Sequence, residues 1–325
     1  MNQREFVERY TASWQSYEDM LDHLARRRRR ASSQRSHALA EFPFLYRQLC
    51  QQLALARDRN YSSALVDRLN VLVLRGHRSL YRARPGTLAR LLRFVTVDFP
   101  TQLRADAKIF WIASALLYLP AIALFVAIML NGDLAYGVMS AAQASNLEQM
   151  YDPESEHFAR ERASDSDFLM FGFYIKNNIG IGFQTFAGGL LFGVGSVFYL
   201  VFNGLFLGAA AAHLYLVGFA ATFSAFVITH GAFELTAIVI AGTAGLKLGL
   251  ALIAPGRRRR AHALTHAARE SVILVFGLAG MLVIAAFVEA YWSSSTTVPA
   301  QVKYAIGGLC WLLVGYYFLR AGRRQ

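Results

Sequence analysis

Several features are scarce in this chain of 325 residues. Charged side chains make up only 17% of it, against roughly 25% in an average soluble domain. The two cysteines, Cys50 and Cys310, lie in a basic and an apolar segment, so the sequence predicts neither a disulfide framework nor a cysteine metal motif. Residues 1–17 are polar and lack the apolar core of a signal peptide. We therefore expect any export to depend on a retained membrane segment.

Sequence signatures of catalysis are missing too. Neither the Gly-x-Ser-x-Gly turn of hydrolases nor the Gly-x4-Gly-Lys-Ser/Thr loop of ATPases occurs, and the nearest match, Gly193–Val197, has no lysine. The zinc-protease pattern His-Glu-x-x-His is also missing. The sequence therefore argues against an enzyme and predicts no catalytic residue and no cofactor.

Apolar residues, in contrast, are abundant, at 55% of the chain, and the mean hydropathy is +0.33. Charge is distributed unevenly. Residues 1–108 carry 20 basic and 10 acidic side chains, whereas residues 109–325 carry 13 basic and 11 acidic ones. We expect residues 1–108 to form a basic cytoplasmic helical domain and residues 109–325 to form a transmembrane domain.

The apolar part can be divided into membrane spans. Segment 109–130 has 22 residues without a charge, and about 20 apolar residues are enough to cross a bilayer. Loop 131–168 is acidic, and because basic flanks stay in the cytoplasm, we expect this loop outside the inner membrane. The glycine-rich segment 169–254 has room for three crossings, of which one is re-entrant in an alternative reading, before Arg257–Arg260 mark the cytoplasm again. The last two spans are predicted at 271–288 and 304–319.

The predicted fold is therefore an all-α polytopic membrane protein with about six crossings and both termini in the cytoplasm. Within the basic domain, apolar residues recur every three or four positions, which indicates amphipathic helices. These residues are Phe6, Tyr10, Trp14, Tyr17, Leu21 and Leu24, then Leu45, Leu49, Leu53 and Ala56, then Leu65, Leu69 and Leu72. Pro43 and Pro85 are expected to separate the helices. A further helix over 87–97 is expected to lie along the lipid surface.

An arginine run closes the first of these helices: Arg26, Arg27, Arg28, Arg29 and Arg30. Anionic lipid headgroups attract such residues by about 1 kcal/mol each near the surface, and a protein partner could bind them as well. A basic patch also attracts nucleic acid, but the neighbouring membrane spans make lipid the better explanation. We therefore expect membrane lipids here, and nucleic acid is disfavoured.

Glycine pairs at four-residue spacing occur in segment 169–254. They are Gly189 and Gly193, Gly204 and Gly208, and Gly245 and Gly249. Small residues at this spacing let helix backbones approach closely in a bilayer. We expect packing within one chain, with a homodimer seam or broken helices along a polar path as alternatives.

Polar side chains at membrane depth are costly in hydrocarbon and must face protein or water. The candidates for such a polar core are His230, Glu234, Asn177, Asn178, Asn203, Lys247 and Glu289. His230 and Glu234 lie one helical turn apart, which suits a proton relay, two metal ligands or an ion pair. Alternatively, Gly231 begins a helix and Glu234 is stabilised in its first turn. Two ligands fall short of a zinc site, so no metal is predicted.

Several segments, in this order, resemble the stage II sporulation protein M family of bacterial membrane proteins. They are Phe171–Asn178, Phe186–Leu190, Asn203–Gly208, His230–Leu235, Ala241–Leu246 and Ala285–Ala290, with Leu53–Arg57 and Leu69–Val73 in the basic domain. The resemblance implies a non-enzymatic, multi-span inner-membrane subunit without catalytic residues to transfer. It also implies partners: peptidoglycan-degrading proteins for the member that names the family, and MoxR-type AAA+ ATPases or other envelope membrane proteins for relatives.

Three functional hypotheses follow. In the first, the chain is a scaffold or subunit of an envelope-associated complex, and residues 1–108 dock a cytoplasmic partner. In the second, it is a transporter or channel in which His230 and Glu234 bind a cation or a proton. In the third, which lacks an evident third ligand, it is an intramembrane hydrolase that uses His230 and Glu234 as metal ligands.

Overall fold

The structure is a computed structural model that describes residues 1–26, 34–80, 87–153, 164–295 and 297–323. Within these ranges the chain is almost entirely helical and contains no strand, which confirms the all-α prediction. The chain divides into two compact units, Met1–Ala89 and Arg90–Gln325.

The first unit contains helices α1 (Gln3–Arg26), α2 (Gln34–Asp58) and α3 (Ser63–Leu80). Its core consists of residues that the helical spacing singles out. They include Phe6, Trp14, Tyr17, Leu21, Leu49, Leu53, Ala56, Leu65, Leu69 and Leu72, all of them buried. Trp14 Nε1 donates to Gln52 Oε1 at 2.7 Å. This unit therefore has a hydrophobic core of its own.

Helix α2 corrects one prediction, because it runs through Pro43 instead of ending there. A proline inside a helix removes one backbone hydrogen bond and crowds the preceding turn. The neighbouring Phe42 is buried and stacks on Tyr17 with ring centroids 5.4 Å apart, so packing outweighs the local penalty. Pro85 lies outside the described residues.

The rest of the chain is a succession of helices. They are α4 (Thr87–Arg93), a π-helical turn (Phe94–Asp98), α5 (Phe99–Ala105), α6 (Ala107–Leu130), a 3-10 turn (Gly132–Gly137), α7 (Ala141–Tyr151), α8 (Ser164–Ala187), a 3-10 turn (Gly188–Leu190), α9 (Val194–Leu216), α10 (Ala220–Ile253), α11 (Arg260–Phe287), a π-helical turn (Val288–Ser293) and α12 (Ala300–Arg320). The second unit begins at residue 90, upstream of the predicted boundary at 108, because α5 packs against α11 and α12. Phe99 of α5 contacts Phe318 edge to face.

Five helices are long and apolar enough to cross a membrane. They are Ala107–Leu130, Val194–Leu216, Ala220–Ile253, the continuous helical segment Arg260–Ser293, and Ala300–Arg320. Helix α8 is absent from this set, and it carries Lys176, Asn177 and Asn178. Of the three crossings predicted in segment 169–254, two therefore qualify as spans by length and composition, and the third helix, α8, is more polar.

Helices α8 and α9 form a tight hairpin. Phe192 and Gly193 have positive φ angles of 53° and 83°, which reverse the chain between the two helices. Ser196 Oγ donates to the carbonyl oxygen of Thr185 at 2.6 Å across the hairpin. A Cβ atom on Gly188 would lie 2.6 Å from the carbonyl carbon of Gly195, so only glycine allows this approach.

Helix α10 is the centre of the second unit and contacts α6, α8, α9, α11 and α12. The six paired glycines lie at close contacts between α10 or α9 and the neighbouring segments. Gly189 lies against Gly245, Gly193 against Gly249, Gly204 against Leu117, and Gly208 against Ala121. The structure thus places all six glycines at contacts within one chain.

Candidate functional site

A polar cluster lies in the first half of α10, between this helix and the π-helical turn Val288–Ser293. It contains His230, Glu234 and Glu289, and one ligand atom from each lies within 4.8 Å of the other two. His230 is 5% exposed, and the two glutamates are half-buried. An imidazole and two carboxylates so close together can share a proton or bind a cation.

The pair His230 and Glu234 is not joined by a hydrogen bond. The distance from His230 Nε2 to Glu234 Oε2 is 3.9 Å, which is too long for one. Helix α10 continues through Gly231, so this glycine does not begin a helix and Glu234 is not in a first turn. The reading in which a helix N-terminus stabilises Glu234 is therefore wrong.

The other ring nitrogen of His230 has a partner. His230 Nδ1 and Ser293 Oγ are 3.0 Å apart. When Nδ1–H donates to this hydroxyl, the lone pair of Nε2 faces Glu234. Ser293 and Glu289 are four residues apart on the same π-helical turn, an irregularity that is frequent at functional sites.

Helix α8 contributes two asparagines to the cluster. Asn178 Nδ2 donates to Glu289 Oε2 at 3.4 Å, and Asn177 Nδ2 donates to Asn178 Oδ1 at 3.1 Å. Asn178 is buried. The helix is continuous at both asparagines; Asn178 holds the carboxylate of Glu289, and Asn177 in turn holds Asn178.

Lys303 of α12 is also buried beside this cluster, but its ammonium group faces the backbone. Lys303 Nζ donates to the carbonyl oxygens of Ser293 and Ser295 at 2.8 and 2.7 Å. These bonds fix the end of the π-helical turn. In the part of the chain that the structure describes, no ion pair joins Lys303 to a carboxylate.

Tyr151, the last residue of α7, lies close to the same glutamates. Its ring contacts Phe223 and Phe226 edge to face, and its carbonyl oxygen accepts a hydrogen bond from Thr222 Oγ1 at 2.7 Å. Burial, followed by the negative charge of Glu289, raises the pKa of the Tyr151 hydroxyl, so this group remains protonated. Helix α7 thereby covers one side of the cluster.

A second polar cluster lies near the other end of α10. Lys247 Nζ donates to both carboxylate oxygens of Asp106 at 2.8 Å and forms an ion pair with Glu270 at the same distance. Gln102 Nε2 donates to Asp106 Oδ2 at 2.9 Å. The charge of Lys247 is matched by two carboxylates, Asp106 between α5 and α6 and Glu270 of α11, which is typical of a structural ion-pair network.

Between these two clusters, α10 is buried among apolar groups. The 13 residues from Glu234 to Lys247 correspond to about 20 Å of helix. Ala237, Ile240 and Ala241 are fully buried there. The hydroxyls of Thr236 and Thr243 donate to carbonyl oxygens of their own helix, one turn earlier. A packed apolar layer therefore separates the two polar clusters.

The remaining predicted site residues lie elsewhere. Asn203 Nδ2 donates to the carbonyl oxygen of Tyr199 in its own helix at 2.7 Å and is not part of either cluster. Of the arginine run, Arg27–Arg30 lie outside the described residues, as does the side chain of Arg26. A second histidine–carboxylate pair, His213 and Glu148, was not anticipated, with His213 Nε2 and Glu148 Oε1 2.7 Å apart.

In the sequence, His230, Glu234 and Glu289 are all polar residues at membrane depth, but only His230 and Glu234 are neighbours at helical spacing. The sequence pattern predicts no role for Ser293, Lys303 or Asp106. A lysine three residues into an apolar helix, such as Lys303, is a visible signal. An acid placed directly before the first apolar span could have suggested a partner such as Lys247.

Comparison with known protein families gives two matches. A family model described as Stage II sporulation protein M matches residues 110–294, which is more than half of the chain. Residues 4–82 match a model described as a domain of unknown function (DUF8413). No curated protein and no solved structure matches the chain. The first match includes the cluster of His230, Glu234 and Glu289.

Proposed function

The chain belongs to the stage II sporulation protein M family, and from this premise we propose that it is a non-enzymatic scaffold subunit of an envelope-associated complex in the inner membrane. Its unit Met1–Ala89 docks a soluble cytoplasmic partner. The excess of basic residues before the first span and the acidic loop after it support this orientation, with both termini in the cytoplasm.

The packed layer in the middle of α10 is the observation that carries the proposal. A transporter or channel needs polar groups, or water, along its path through the bilayer. In this structure about 20 Å of tightly packed, mainly apolar helix separates the cluster at Glu234 from the cluster at Lys247. Such packing favours a rigid membrane anchor.

The first unit offers a surface on which a partner can dock. Asp67, Val71, Leu74 and Arg78 follow one another at three- and four-residue spacing along α3, and all four are exposed. Val71 is 54% exposed and Leu74 is 49% exposed. The apolar Val71 and Leu74 correspond to the centre of a protein interface, and the charged Asp67 and Arg78 on either side correspond to its polar rim. A MoxR-type AAA+ ATPase, which the family resemblance implies, is the partner we propose.

Photo-crosslinking in living cells tests this docking. A photo-crosslinking amino acid in place of Val71 is expected to yield one discrete adduct with a cytoplasmic protein, and purification should recover that protein at constant stoichiometry. The same amino acid in place of Gln51, an exposed residue of α2, is the matched control and should give little adduct. Equal, diffuse crosslinking at both positions, or purification without a stoichiometric partner under all growth conditions, contradicts the docking role.

A transporter is the second candidate, and the buried cluster of His230, Glu234 and Glu289 favours it. In this mechanism the cluster binds a cation or a proton, and the layer beneath it opens during transport. Flux into proteoliposomes is the discriminating measurement. The transporter is favoured if the parent protein shows flux and Glu234→Gln abolishes it. The melting temperature of this variant must stay within about a degree or two of the parent. A lack of flux for protons and for common cations favours the scaffold.

A further inference from the structure

We propose that His230, Glu234 and Glu289 together bind one divalent transition-metal ion of the Zn²⁺ type. The ion joins α10 to the π-helical turn that follows α11. This inference is independent of the scaffold role, because it concerns equilibrium binding by the purified chain. Four observations support it: the spacing of the ligand atoms, the orientation of the imidazole, the hydrogen bonds to a carboxylate, and the charge of the cluster.

The ligand spacing suits a metal better than a hydrogen bond. Zinc binds nitrogen and oxygen at about 2.0–2.2 Å, so two ligands at a tetrahedral angle lie about 3.4 Å apart. His230 Nε2 and Glu234 Oε2 are 3.9 Å apart, and all three ligand atoms lie within 4.8 Å of one another. Small side-chain rotations bring them onto one ion. Three protein ligands leave a fourth position for water.

The imidazole of His230 is held as a metal ligand is usually held. A ligating histidine almost always donates its second N–H to an oxygen, which fixes the tautomer and the ring orientation. Ser293 Oγ, 3.0 Å from His230 Nδ1, provides that oxygen. The imidazole is buried, and its other nitrogen, Nε2, lies 3.9 Å from Glu234 Oε2.

Glu289 has equivalent support from another helix. Asn178 is almost fully buried and donates to Glu289 Oε2 at 3.4 Å, while Asn177 donates to Asn178. This leaves Glu289 Oε1 available to an ion. Hydrogen bonds to ligating carboxylates are the usual second layer of metal sites, and their removal costs 10–100-fold in affinity.

The negative charge of the two carboxylates, Glu234 and Glu289, favours the binding of a cation. Two carboxylates so close together repel each other, and burial in a membrane domain increases the cost. Lys303 donates to backbone carbonyl oxygens, and among the described residues it forms no ion pair with either carboxylate. One divalent ion neutralises both carboxylates at once.

The ligand set selects the class of ion. Imidazole suits zinc, copper, iron and nickel, whereas magnesium and calcium prefer shells of six or more oxygen atoms. One imidazole with two carboxylates and room for water therefore favours a transition-metal ion such as Zn²⁺ over Mg²⁺ and Ca²⁺.

Metal content of the purified full chain tests the proposal. The protein in detergent is stripped with a chelator, incubated with Zn²⁺, desalted and analysed by mass spectrometry of the elements. We expect one Zn²⁺ per chain and a rise in melting temperature upon binding. The variants Glu234→Gln and Glu289→Gln should each bind at least ten times more weakly, and Asn178→Ala should lose 10–100-fold in affinity.

The matched control is Glu148→Gln, which removes the carboxylate of the other histidine–glutamate pair. It should retain one ion per chain with unchanged affinity. Elution of every variant as a single peak on size exclusion shows that the loss is not unfolding. If Glu234→Gln does not fold, Glu289→Gln alone tests the site. This variant is expected to fold, because the amide oxygen of the new glutamine can still accept the hydrogen bond from Asn178.

Three results overturn the proposal. The first is retention of less than a tenth of an ion per chain by the parent protein at Zn²⁺ concentrations well above micromolar. The second is unchanged zinc binding in both Glu234→Gln and Glu289→Gln, which would assign the ion to another place. The third is saturation by Ca²⁺ or Mg²⁺ in the absence of zinc retention, which contradicts the ligand chemistry.

Discussion

Replacement of Gly208 by alanine probes a close contact between helices α9 and α6 in the second unit. A Cβ atom at this position would lie 2.9 Å from the carbonyl carbon and 3.0 Å from the Cα atom of Ala121, and nearer still to the carbonyl oxygen. Ordinary contacts of this kind are 3.4 Å or longer, so α9 and α6 must separate. The same movement widens the contact of Gly204 with Leu117, one turn away.

The magnitude follows from the costs of overpacking. Forcing an extra methyl group into a close-packed contact usually destabilises by about 1–3 kcal/mol. For a domain of 150–250 residues each kcal/mol shifts the melting temperature by about 2–4 °C. We therefore expect Gly208→Ala to melt roughly 5 °C below the parent protein. The double variant with Gly204→Ala should lose less than the sum, because both side chains push the same two helices apart.

The assay is loss of the monodisperse peak in detergent after heating, with Gly315→Ala as the control. A Cβ atom on Gly315 in α12 has nothing within 4 Å, so this variant should melt at the parent temperature or slightly above. An unchanged or raised melting temperature for Gly208→Ala refutes the α6–α9 contact. A drop for Gly315→Ala alone would instead indicate an interface between two copies of the chain.

Two further predictions concern buried polar groups. Lys247→Met leaves Asp106 buried without its cation, so it should destabilise the chain by about 3–5 kcal/mol, and the added change Asp106→Asn should recover most of the loss in the same melting assay. Tyr17→Phe removes a buried hydroxyl that has no hydrogen-bond partner among the described residues, so it should stabilise the first unit by roughly 1 kcal/mol. Burial also raises the pKa of Tyr17 above its ordinary value near 10, so the folded state favours the neutral phenol and loses stability above pH 10, where the unfolded chain ionises. Melting curves at pH 8 and pH 11 should show a smaller loss for Tyr17→Phe than for the parent, and an equal loss contradicts this reasoning.

Patterns local in the sequence were sufficient to predict most helices. The three- and four-residue spacing of Phe6, Trp14 and Leu69 predicts the core of the first unit, because a helix turns once in 3.6 residues and the buried face follows directly. The same holds for α6, where 22 residues without charge permit only a buried or membrane-spanning helix. Long, strongly patterned segments are therefore predictable from the sequence alone.

Features that depend on tertiary contacts were not predictable. Proline in the middle of a helix predicts a break at Pro43, and the burial of Phe42 overrides it. Glu289 lies 55 residues after Glu234, and only the packing of α11 on α10 and the π-helical turn bring the two together. For the same reason the ion pair of Asp106 with Lys247 spans 141 residues and leaves no local pattern in the sequence.

The orientation of the first unit tests the central claim most directly, since a docking unit for a cytoplasmic partner must face the cytoplasm. Single cysteines are introduced as Ala54→Cys in α2 and Ala142→Cys in α7, two exposed positions, after Cys50 and Cys310 are replaced by serine. A membrane-impermeant maleimide is then applied to spheroplasts. We expect Ala142→Cys to react in intact spheroplasts and Ala54→Cys to react only after lysis. Reaction of Ala54→Cys in intact spheroplasts, with protection of Ala142→Cys, would contradict the account.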